Sequence, residues 1–533
     1  MPEPKTHLAK RPFMLIVRDG WGQNPHPEMD AYNAIKQARH PNDDRLMRDY
    51  PHTLIHTSGE DVGLPVGVMG NSEVGHQNMG AGRIVDQETM RITRTIRDGS
   101  FFKNPVLLAA CAHAKQNHGK LHILGLCSDG RVHSDQTHAY ALLELAKQQG
   151  LAPDAVLVHA ICDGRDTPPQ SAVGFLTALD DKIKEIGVGR VATVIGRYYI
   201  MDRDNRWDRV EQGYRLLTEN VGERYATAQE AAKHYYAHPI EPSRSGDEFI
   251  LPSVIGPGGT VSDNDAIIFF NYRGDRPREI TKAFVYSDEQ FAREPSGGFK
   301  RVVRPRNLYF ATMSAYEAGL PVEVVFNKPP KMVNILGDLL QQLGLRQFRA
   351  AETEKFPHVT FFFNDYREPP FKGEDRELAN SPKVTTYDQQ PEMSAPAVTE
   401  IILKKLNEGV EDIYIINFAN CDMVGHTGNL EAAKKAVETV DTCVGKVADK
   451  VLSLGGALMI TADHGNCEQM WDPENNCPHT AHTLFDVPLI VVDDRYQGQQ
   501  LKAGGRLADI APTMLKMLGL PQPAEMTGTP LVP

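Results

Sequence analysis

The sequence has no apolar run long enough to cross a membrane or to form the core of a signal peptide. Its first apolar stretch, residues 13–17, is cut short by Arg18 and Asp19. We therefore expect a cytoplasmic protein with no membrane-spanning segment.

Two further absences narrow the class of protein. The seven cysteines include no C-x-x-C pair and are odd in number, which is typical of a protein kept reduced in the cytoplasm. Basic residues are in deficit, because 57 Lys and Arg face 69 Asp and Glu, for a net charge of −12. A general nucleic-acid binder needs a basic surface, so we expect no nucleic-acid partner. A local cationic pocket for a small anion remains compatible with this charge.

What the sequence does contain is a regular alternation of short apolar runs with helical periodicity. Helical spacing of apolar residues occurs, for example, at residues 139–147 and 431–451. The apolar runs have the length of buried strands and lie at residues 13–17, 123–126, 156–160, 191–195, 266–270, 413–418, 457–460 and 487–492. This alternation predicts an α/β protein with mostly parallel sheets, and 533 residues predict two large domains.

Polar clusters follow five of these predicted strands. They are Asp19, residues 163–166, residues 271–273, Asp422 and the pair at 463–464. In α/β folds the chemistry lies just beyond the carboxyl ends of the strands. We therefore expect these clusters to contain the functional side chains.

Candidate metal ligands lie near both ends of the chain. Asp19 is near the N-terminus, whereas Asp422, His426, Asp463-His464 and His482 lie in the last quarter. Any one of them alone is better explained as a cap or a hydrogen-bonded structural residue. Together they favour a pair of divalent cations, which most often serve phosphoryl chemistry. A site built from both ends also predicts one domain interrupted by an inserted second domain.

A candidate nucleophile, Ser72, lies in the glycine-containing stretch of residues 67–76. Its position predicts the start of a helix, where free backbone N–H groups can hold phosphate oxygens. The alternative is that Ser72 is only a helix cap, with Glu73 in the first turn. Serine needs activation to attack, and metal coordination can supply it, which connects Ser72 to the predicted ligands.

The middle of the chain carries arginines in loops rich in Gly and Asp. The simple explanation for each arginine is a solvated surface residue, but such loops after strands can grip a carboxylate or phosphate with a guanidinium fork. The candidates are His133, Arg165, Asp166, Arg197, Arg203, Arg273 and Arg276.

Several ordered motifs make the chain similar to a known family. It resembles the cofactor-independent phosphoglycerate mutases of the alkaline phosphatase superfamily over nearly its whole length. The motifs that carry the resemblance are residues 19–22, 57–65, 70–76, 163–169, 351–355, 461–466 and 480–483.

The resemblance implies two α/β domains. An alkaline-phosphatase-like metal domain takes residues 1–86 and 330–533, and an inserted phosphotransferase domain takes residues 87–329. The implied enzyme is an isomerase of glycolysis and gluconeogenesis. It interconverts 3-phosphoglycerate and 2-phosphoglycerate through a phosphoserine, without 2,3-bisphosphoglycerate. The resemblance also implies that the protein is a monomer and binds two divalent ions, most often Mn²⁺, with Mg²⁺, Co²⁺ or Zn²⁺ as alternatives.

The resemblance also implies a role for each candidate residue. One ion is held by Asp422, His426 and His482, and the other by Asp19, Asp463, His464 and the hydroxyl of Ser72. Ser72 is the nucleophile, Lys355 neutralises the phosphoryl group, and Asp166 exchanges protons with the substrate hydroxyls. The phosphate contacts are His133, Arg273 and Arg276, and the glycerate carboxylate contacts are Arg165, Arg197 and Arg203.

One residue departs from the family pattern, which has an apolar residue where this chain has Arg18. Neighbouring strand residues face opposite sides, so we expect Arg18 to point away from the metals. It then needs a carboxylate partner or a route to solvent, since an unpaired buried charge is costly.

Two other functions stay open at this point. The chain could be another phosphomonoesterase or phosphopentomutase of the superfamily, although the inserted segment with Asp166 argues against it. It could also be an inactive phosphoglycerate- or metal-binding protein, although no ligand or nucleophile is missing.

Overall fold

The structure is a computed structural model, and it describes residues 7–533. The chain divides into two compact units. Unit 1 comprises the residues up to Gln87 together with Pro330–Pro533, and unit 2 comprises Glu88–Pro329. Within residues 7–533, every helix is too short or too polar to traverse a bilayer.

The strands and helices alternate along the described chain. The strands are β1 Phe13–Arg18, β2 His52–His56, β3 Leu121–Leu126, β4 Val156–Cys162, β5 Arg190–Gly196, β6 Glu223–Tyr225, β7 Ser253–Ile255, β8 Ala266–Phe269, β9 Tyr309–Ser314, β10 Glu323–Phe326, β11 Gln347–Glu352, β12 Glu374–Ala379, β13 Ile413–Phe418, β14 Ala457–Thr461, β15 Trp471–Asp472, β16 Cys477–Pro478, β17 Val487–Val492 and β18 Gly505–Arg506. The helices are α1 Ala34–Gln37, α2 Pro41–Asp49, α3 Ser72–Ala81, α4 Glu88–Asp98, α5 Pro105–Gln116, α6 Gln136–Gln148, α7 Ala172–Ile186, α8 Arg197–Ile200, α9 Trp207–Glu219, α10 Ala228–Ala237, α11 Arg278–Val285, α12 Asp288–Phe291, α13 Leu336–Gln342, α14 Ala395–Glu408, α15 Asn420–Gly425, α16 Leu430–Ser453 and α17 Ile510–Leu518.

Unit 1 is built on a mixed sheet with the strand order β12-β11-β13-β1-β14-β17-β2-β18. The five strands from β12 to β14 are parallel, and β17 is antiparallel to both of its neighbours. Strand β1 is central and fully buried, because α/β sheets are covered on both faces. The carboxyl ends of β13, β1 and β14 therefore lie side by side.

Unit 2 has its own sheet, with the strand order β10-β9-β8-β3-β4-β5-β7-β6. Its pairings are parallel except that between β5 and β7. Side chains alternate between two hydrophobic cores, one containing Ile123 and Val158 and the other Leu124 and Ile161. The carboxyl ends of β8, β3, β4 and β5 meet at one edge.

These sheets confirm the predicted α/β class and the mostly parallel pairing. All eight predicted strands are present, and the runs at 413–418 and 487–492 match β13 and β17 end to end. The apolar runs do not predict every strand, and β11 is one that they leave out, because it contains Gln347 and Arg349, which are polar although fully buried.

Arg18, at the end of β1, is 1% exposed, and its buried charge is paired with a carboxylate, as expected from the sequence. Its NH1 donates to Asp43 Oδ1 at 2.5 Å, and its guanidinium carbon lies 4.2 Å from the ring centroid of Trp21. Its Nε and NH2 have no hydrogen-bond partner within the part of the chain that the structure describes. Arg18 is thus held by one ion pair from α2 and by stacking.

Candidate active site

Three buried aspartates of unit 1 meet at the carboxyl edge of its sheet. Asp19 follows β1, Asp422 lies in α15 directly after β13, and Asp463 follows β14. Their exposed fractions are 0–2%. The adjacency of the three strands brings residues together that are up to 444 positions apart.

The first group of candidate ligands surrounds Asp422. Its Oδ1 lies 3.1 Å from Nε2 of His426 and 3.1 Å from Nε2 of His482. Those two nitrogens are 3.2 Å apart. The short helix α15 places Asp422 and its C-terminal cap residue His426 one turn apart on the same face, and the loop between β16 and β17 supplies His482.

The second group surrounds the hydroxyl of Ser72. Its Oγ lies 3.2 Å from Asp19 Oδ1 and 3.0 Å from His464 Nε2. His464 Nε2 is also 3.7 Å from Asp463 Oδ2, and its ring stacks on that of His482 at 3.7 Å. The two groups are therefore adjacent.

Ser72 is the first residue of α3 and does not cap it. The cap is Asn71, whose side chain accepts from the backbone N–H of Val74. The structure thus leaves the serine hydroxyl free to face the carboxylates.

Lys355 places a cation among these acids. It follows β11, and its Nζ lies 2.7 Å from Ser72 Oγ, 2.8 Å from Asp19 Oδ1 and 2.6 Å from Asp422 Oδ2. Burial alone would lower the pKa of Lys355, but the surrounding aspartates raise it above its ordinary value. The lysine is therefore a permanent positive charge beside the hydroxyl.

The aspartates divide electrostatically. Burial and the neighbouring Asp463 raise the pKa of Asp19 to about 7. For Asp422 and Asp463, burial opposes ionisation, yet Lys355 and the adjacent histidines hold their pKa well below the usual range. Three carboxylates around one lysine leave an excess of negative charge.

The donor set fits divalent cations. Asp422, His464 and His482 form one group and Asp19, His76 and Asp463 another, and the ligand atoms within each lie within 4.8 Å of one another. Among residues 7–533, buried Asp463 Oδ2 has no hydrogen-bond partner, because His76 Nδ1, 3.3 Å away, bonds to the Ser72 backbone oxygen, and such an oxygen is suited to face a cation. Mixed carboxylate and imidazole ligands suit Mn²⁺, Zn²⁺ or Co²⁺.

The candidates in unit 2 form a second cluster at the edge of its own sheet. Arg197 NH1 lies 2.6 Å from Asp163 Oδ1 and 2.6 Å from Asp166 Oδ2. Nε2 of the buried His133 lies 4.0 Å from Asp166 Oδ2. Burial and the nearby Arg197 lower the pKa of His133 to about 4, so it is neutral at physiological pH.

Three other arginines of this cluster are paired with carboxylates, whereas Arg276 NH1 donates to the Met201 carbonyl at 3.2 Å. Arg273 Nε lies 3.0 Å from Asp275 Oδ1 and Arg203 NH1 lies 3.2 Å from Asp275 Oδ2. Arg165 NH2 lies 3.0 Å from Glu248.

A cavity of about 250 Å³ is open to the same edge of unit 2. Four of the predicted arginines line it: Arg165, Arg197, Arg203 and Arg276. The cavity can take a small anion. His133, Asp166 and Arg273 are not among its lining residues.

Sequence reasoning missed several residues of both clusters. In unit 1, His76 contacts Asp463 and Asn417 contacts Asp19. In unit 2, Asp275 forms an ion pair with Arg203 and Glu248 forms one with Arg165. His76 lies within the motif at 70–76, and Asn417 interrupts an apolar strand, so both gave a signal. Asp275 follows Arg273 by two residues, so that pairing has a local signal, whereas nothing in the sequence indicates that Glu248 pairs with Arg165.

Comparison with known proteins places the chain in a family. Residues 11–522 match the model of the metalloenzyme superfamily. The 2,3-bisphosphoglycerate-independent phosphoglycerate mutase of Rhodopirellula baltica is 60% identical over 99% of this chain and 98% of its own length. That of Acetivibrio thermocellus is 51% identical over 97% and 98%.

A solved structure agrees with this placement. A phosphoglycerate mutase of Leishmania mexicana, crystallised at low cobalt concentration, is 32% identical with a TM-score of 0.61 and covers 99% of both chains. The chain belongs to the metalloenzyme superfamily and, within it, to the 2,3-bisphosphoglycerate-independent phosphoglycerate mutases.

Proposed function

We propose that this chain interconverts 3-phosphoglycerate and 2-phosphoglycerate through a phosphoserine at Ser72, without 2,3-bisphosphoglycerate. The observation that carries the proposal is the position of Ser72 Oγ, within 3.2 Å of Asp19, His464 and Lys355. A buried serine hydroxyl with such neighbours has the donor, the acceptors and the cation that a nucleophile toward phosphorus needs.

The metal ligands in this proposal are those that the sequence motifs imply. Asp422, His426 and His482 would hold one ion, and Asp19, Asp463, His464 and the Ser72 hydroxyl would hold the other. When bound, such ions would favour ionisation of the serine hydroxyl and neutralise charge on the phosphoryl oxygens. We propose two ions and Mn²⁺ as the physiological metal.

The chain's own residues carry out the transfer in two halves. Ser72 reacts as the alkoxide, its hydroxyl proton having been released to solvent beforehand. Its Oγ attacks phosphorus as the bond between phosphorus and O3 of 3-phosphoglycerate breaks, and protonated Asp166 gives its proton to the departing O3. The bound glycerate then turns so that O2 faces the phosphoserine. Asp166 takes the O2 proton, O2 attacks phosphorus, and the bond to Ser72 Oγ breaks. Lys355, already beside Ser72, stabilises the charge on both occasions.

The arginine cluster of unit 2 holds the substrate between the two halves. Arg165, Arg197 and Arg203 bind the glycerate carboxylate, and Arg273, Arg276 and neutral His133 contact the phosphate. Keeping glycerate bound makes the second transfer effectively intramolecular. It also prevents water from taking the phosphoryl group in its place.

The cell location and assembly belong to the same proposal. We place the enzyme in the cytoplasm as a monomer, and the seven cysteines, all of them free thiols, agree with a reducing compartment.

The test is an enolase-coupled assay of purified protein with Mn²⁺ and no 2,3-bisphosphoglycerate. We expect turnover of 3-phosphoglycerate with little release of inorganic phosphate. Rapid hydrolysis of a generic ester such as p-nitrophenyl phosphate, with no isomerisation, would instead identify a phosphomonoesterase. Metal binding with neither reaction would identify an inactive binding protein.

A further inference from the structure

A polar pair behind the candidate metal ligands has no part in the mechanism above. His76 lies in α3, one turn after Ser72, and Asn417 lies in β13. Both side chains are fully buried. Asn417 Nδ2 lies 2.8 Å from Asp19 Oδ2 and 3.1 Å from His76 Nε2, and His76 Nδ1 lies 3.3 Å from Asp463 Oδ2. The pair thus connects two aspartates on neighbouring strands.

The hydrogen-bond partners assign one arrangement of protons. His76 Nδ1 faces two acceptors, the backbone oxygen of Ser72 at 2.8 Å and Asp463 Oδ2, so it carries a hydrogen. His76 Nε2 faces the amide nitrogen of Asn417, which is a donor, so Nε2 is the acceptor. The amide then has one hydrogen for His76 and one for Asp19.

This arrangement makes His76 a poor ligand, although its ring lies among the ligand atoms. Nδ1 uses its hydrogen toward the backbone oxygen of Ser72, with Asp463 Oδ2 nearby at 3.3 Å, and the lone pair of Nε2 accepts from Asn417. The ring can nevertheless orient Asp463, as the partners behind metal ligands commonly do.

The packing leaves little freedom for these aspartates to adopt another position. An added Cβ at Gly75, next to His76, would lie 2.9 Å from the Cβ of Asp463. Helix α3 is therefore in close contact with Asp463, and the bond from His76 to the Ser72 backbone ties the serine to the same unit of structure.

We propose that His76 and Asn417 are positioning residues that hold Asp19, Asp463 and Ser72 in the geometry required for metal binding. The inference rests on the proposed function, because it concerns the same site. The pair acts through the carboxylates and does not touch substrate.

The test compares Mn²⁺ affinity, measured by isothermal titration calorimetry on metal-stripped protein, in wild type, Asn417→Ala and His76→Phe. Outer-shell partners are typically worth about 10–100-fold in metal affinity, and we expect a loss in that range for each variant. The double variant should lose little more than the weaker-binding single variant, since the two side chains act as one unit. The Michaelis constant for 3-phosphoglycerate at saturating Mn²⁺ should be unchanged.

A matched control comes from unit 1 itself. Asn364 is also a buried asparagine whose amide donates to a buried carboxylate, that of Glu374. Asn364→Ala should cost stability in the same way but leave Mn²⁺ affinity at the wild-type value. A general effect of losing a buried amide would lower the affinity in the control as well and would overturn the proposal.

The outcomes separate this inference from the proposed function. A wild-type protein that neither binds Mn²⁺ nor isomerises would remove the proposed function. A wild-type protein that does both, with variants that keep its affinity, would remove only the positioning pair. If His76→Phe does not fold, Asn417→Ala decides together with the milder Asn417→Ser, whose affinity should lie between alanine and wild type.

Discussion

The two candidate clusters differ in the sign of their charge and in their exposure to solvent. In unit 1, three buried aspartates and buried histidines surround a single lysine. In unit 2, arginines predominate, and Arg165, Arg203 and Arg273 are about half exposed, although Arg197 is buried. One cluster is built to attract cations and the other to attract a small anion.

The two clusters also differ in how far their side chains are preorganised before substrate binds. Apart from the exposed His426, the candidate ligands of unit 1 are buried or half-buried, so the fold sets most of their geometry. The exposed arginines of unit 2 instead pair with carboxylates of their own, such as Asp275 and Glu248, and an anionic substrate must displace these weak pairs. Rigid reaction groups and adaptable binding groups suit an enzyme that must retain a reorienting intermediate.

The largest effect should come from Ser72→Ala, which removes the nucleophile from the rigid cluster. We expect mutase activity to fall by about 10⁴-fold or more, as when a serine nucleophile is removed elsewhere. Mass spectrometry of trapped wild-type protein should place a phosphate on Ser72. Ser253→Ala, at a buried serine that donates only to the Leu251 carbonyl, is the control and should retain activity. Substantial turnover by Ser72→Ala would refute the nucleophile.

A smaller loss should follow Asp166→Asn, which changes unit 2 and leaves the metal ligands untouched. Mutase turnover should fall by about 10²–10⁴-fold, the usual worth of general acid–base catalysis. Mn²⁺ affinity should stay at the wild-type value, because every proposed ligand lies in unit 1. Asp180→Asn, whose carboxylate accepts only from Gln229, serves as the control. Altered Mn²⁺ affinity in Asp166→Asn would break the separation between the clusters.

Much of the fold could be predicted because hydrophobic pattern and strand ends are local signals. The runs at 413–418 and 487–492 are continuous and apolar, which indicates buried strands directly. Strand β11 carries Arg349, whose burial is stabilised by contacts with Gln347 and the ring of Phe363 that no local pattern reveals.

The candidate site could be predicted only as a set of residues. The order β13-β1-β14, which brings Asp19, Asp422 and Asp463 together, depends on long-range pairing that one sequence does not specify. The same limit applied to Arg18, for which the need of a partner was predictable from burial but its identity, Asp43, was not. Tertiary contacts of this kind also determine the arginine partners in unit 2.

Protonation should distinguish the two units in a further way, at His138 in helix α6 of unit 2, which lies outside the arginine cluster. Asp422 raises the pKa of His426 and His482 in unit 1, whereas burial lowers the pKa of His138 in unit 2 to about 4. Below about pH 6.5 His138 becomes protonated in the unfolded chain, whereas in the folded protein it stays neutral down to about pH 4. The free energy of unfolding therefore carries no penalty from His138 above about pH 6.5. It decreases as the pH is lowered, and His138 alone should lower it by about 3 kcal/mol at pH 4.

Hydrogen exchange of the α6 amides, measured between pH 7 and pH 4, tests this expectation after correction for the intrinsic pH dependence of exchange. Protection should fall toward pH 4 in wild type and less steeply in His138→Asn. His113→Asn, which alters a half-buried histidine bonded to the Asn307 carbonyl, should behave as wild type. Equal slopes in wild type and His138→Asn would contradict the assignment to His138.

The smallest effect should come from Arg203→Ala, which removes one of the adaptable groups. Arg203 is half exposed and pairs with Asp275 at 3.2 Å, so its loss should change stability by less than about 1 kcal/mol. Its proposed bond to the glycerate carboxylate should nevertheless be worth about tenfold in the Michaelis constant, the lower end for a bond to a charged group. If glycerate escapes, water hydrolyses the phosphoserine, so the amount of phosphate released per isomerisation should rise. A malachite-green assay run beside the enolase-coupled assay would measure this ratio.

Arg215→Ala, which removes an arginine paired with Glu219 on α9, is the control and should change neither the Michaelis constant nor the phosphate release. A normal Michaelis constant and no added phosphate release in Arg203→Ala would show that the exposed arginines do not retain the substrate, and the contrast between a rigid and an adaptable cluster would then lose its functional meaning.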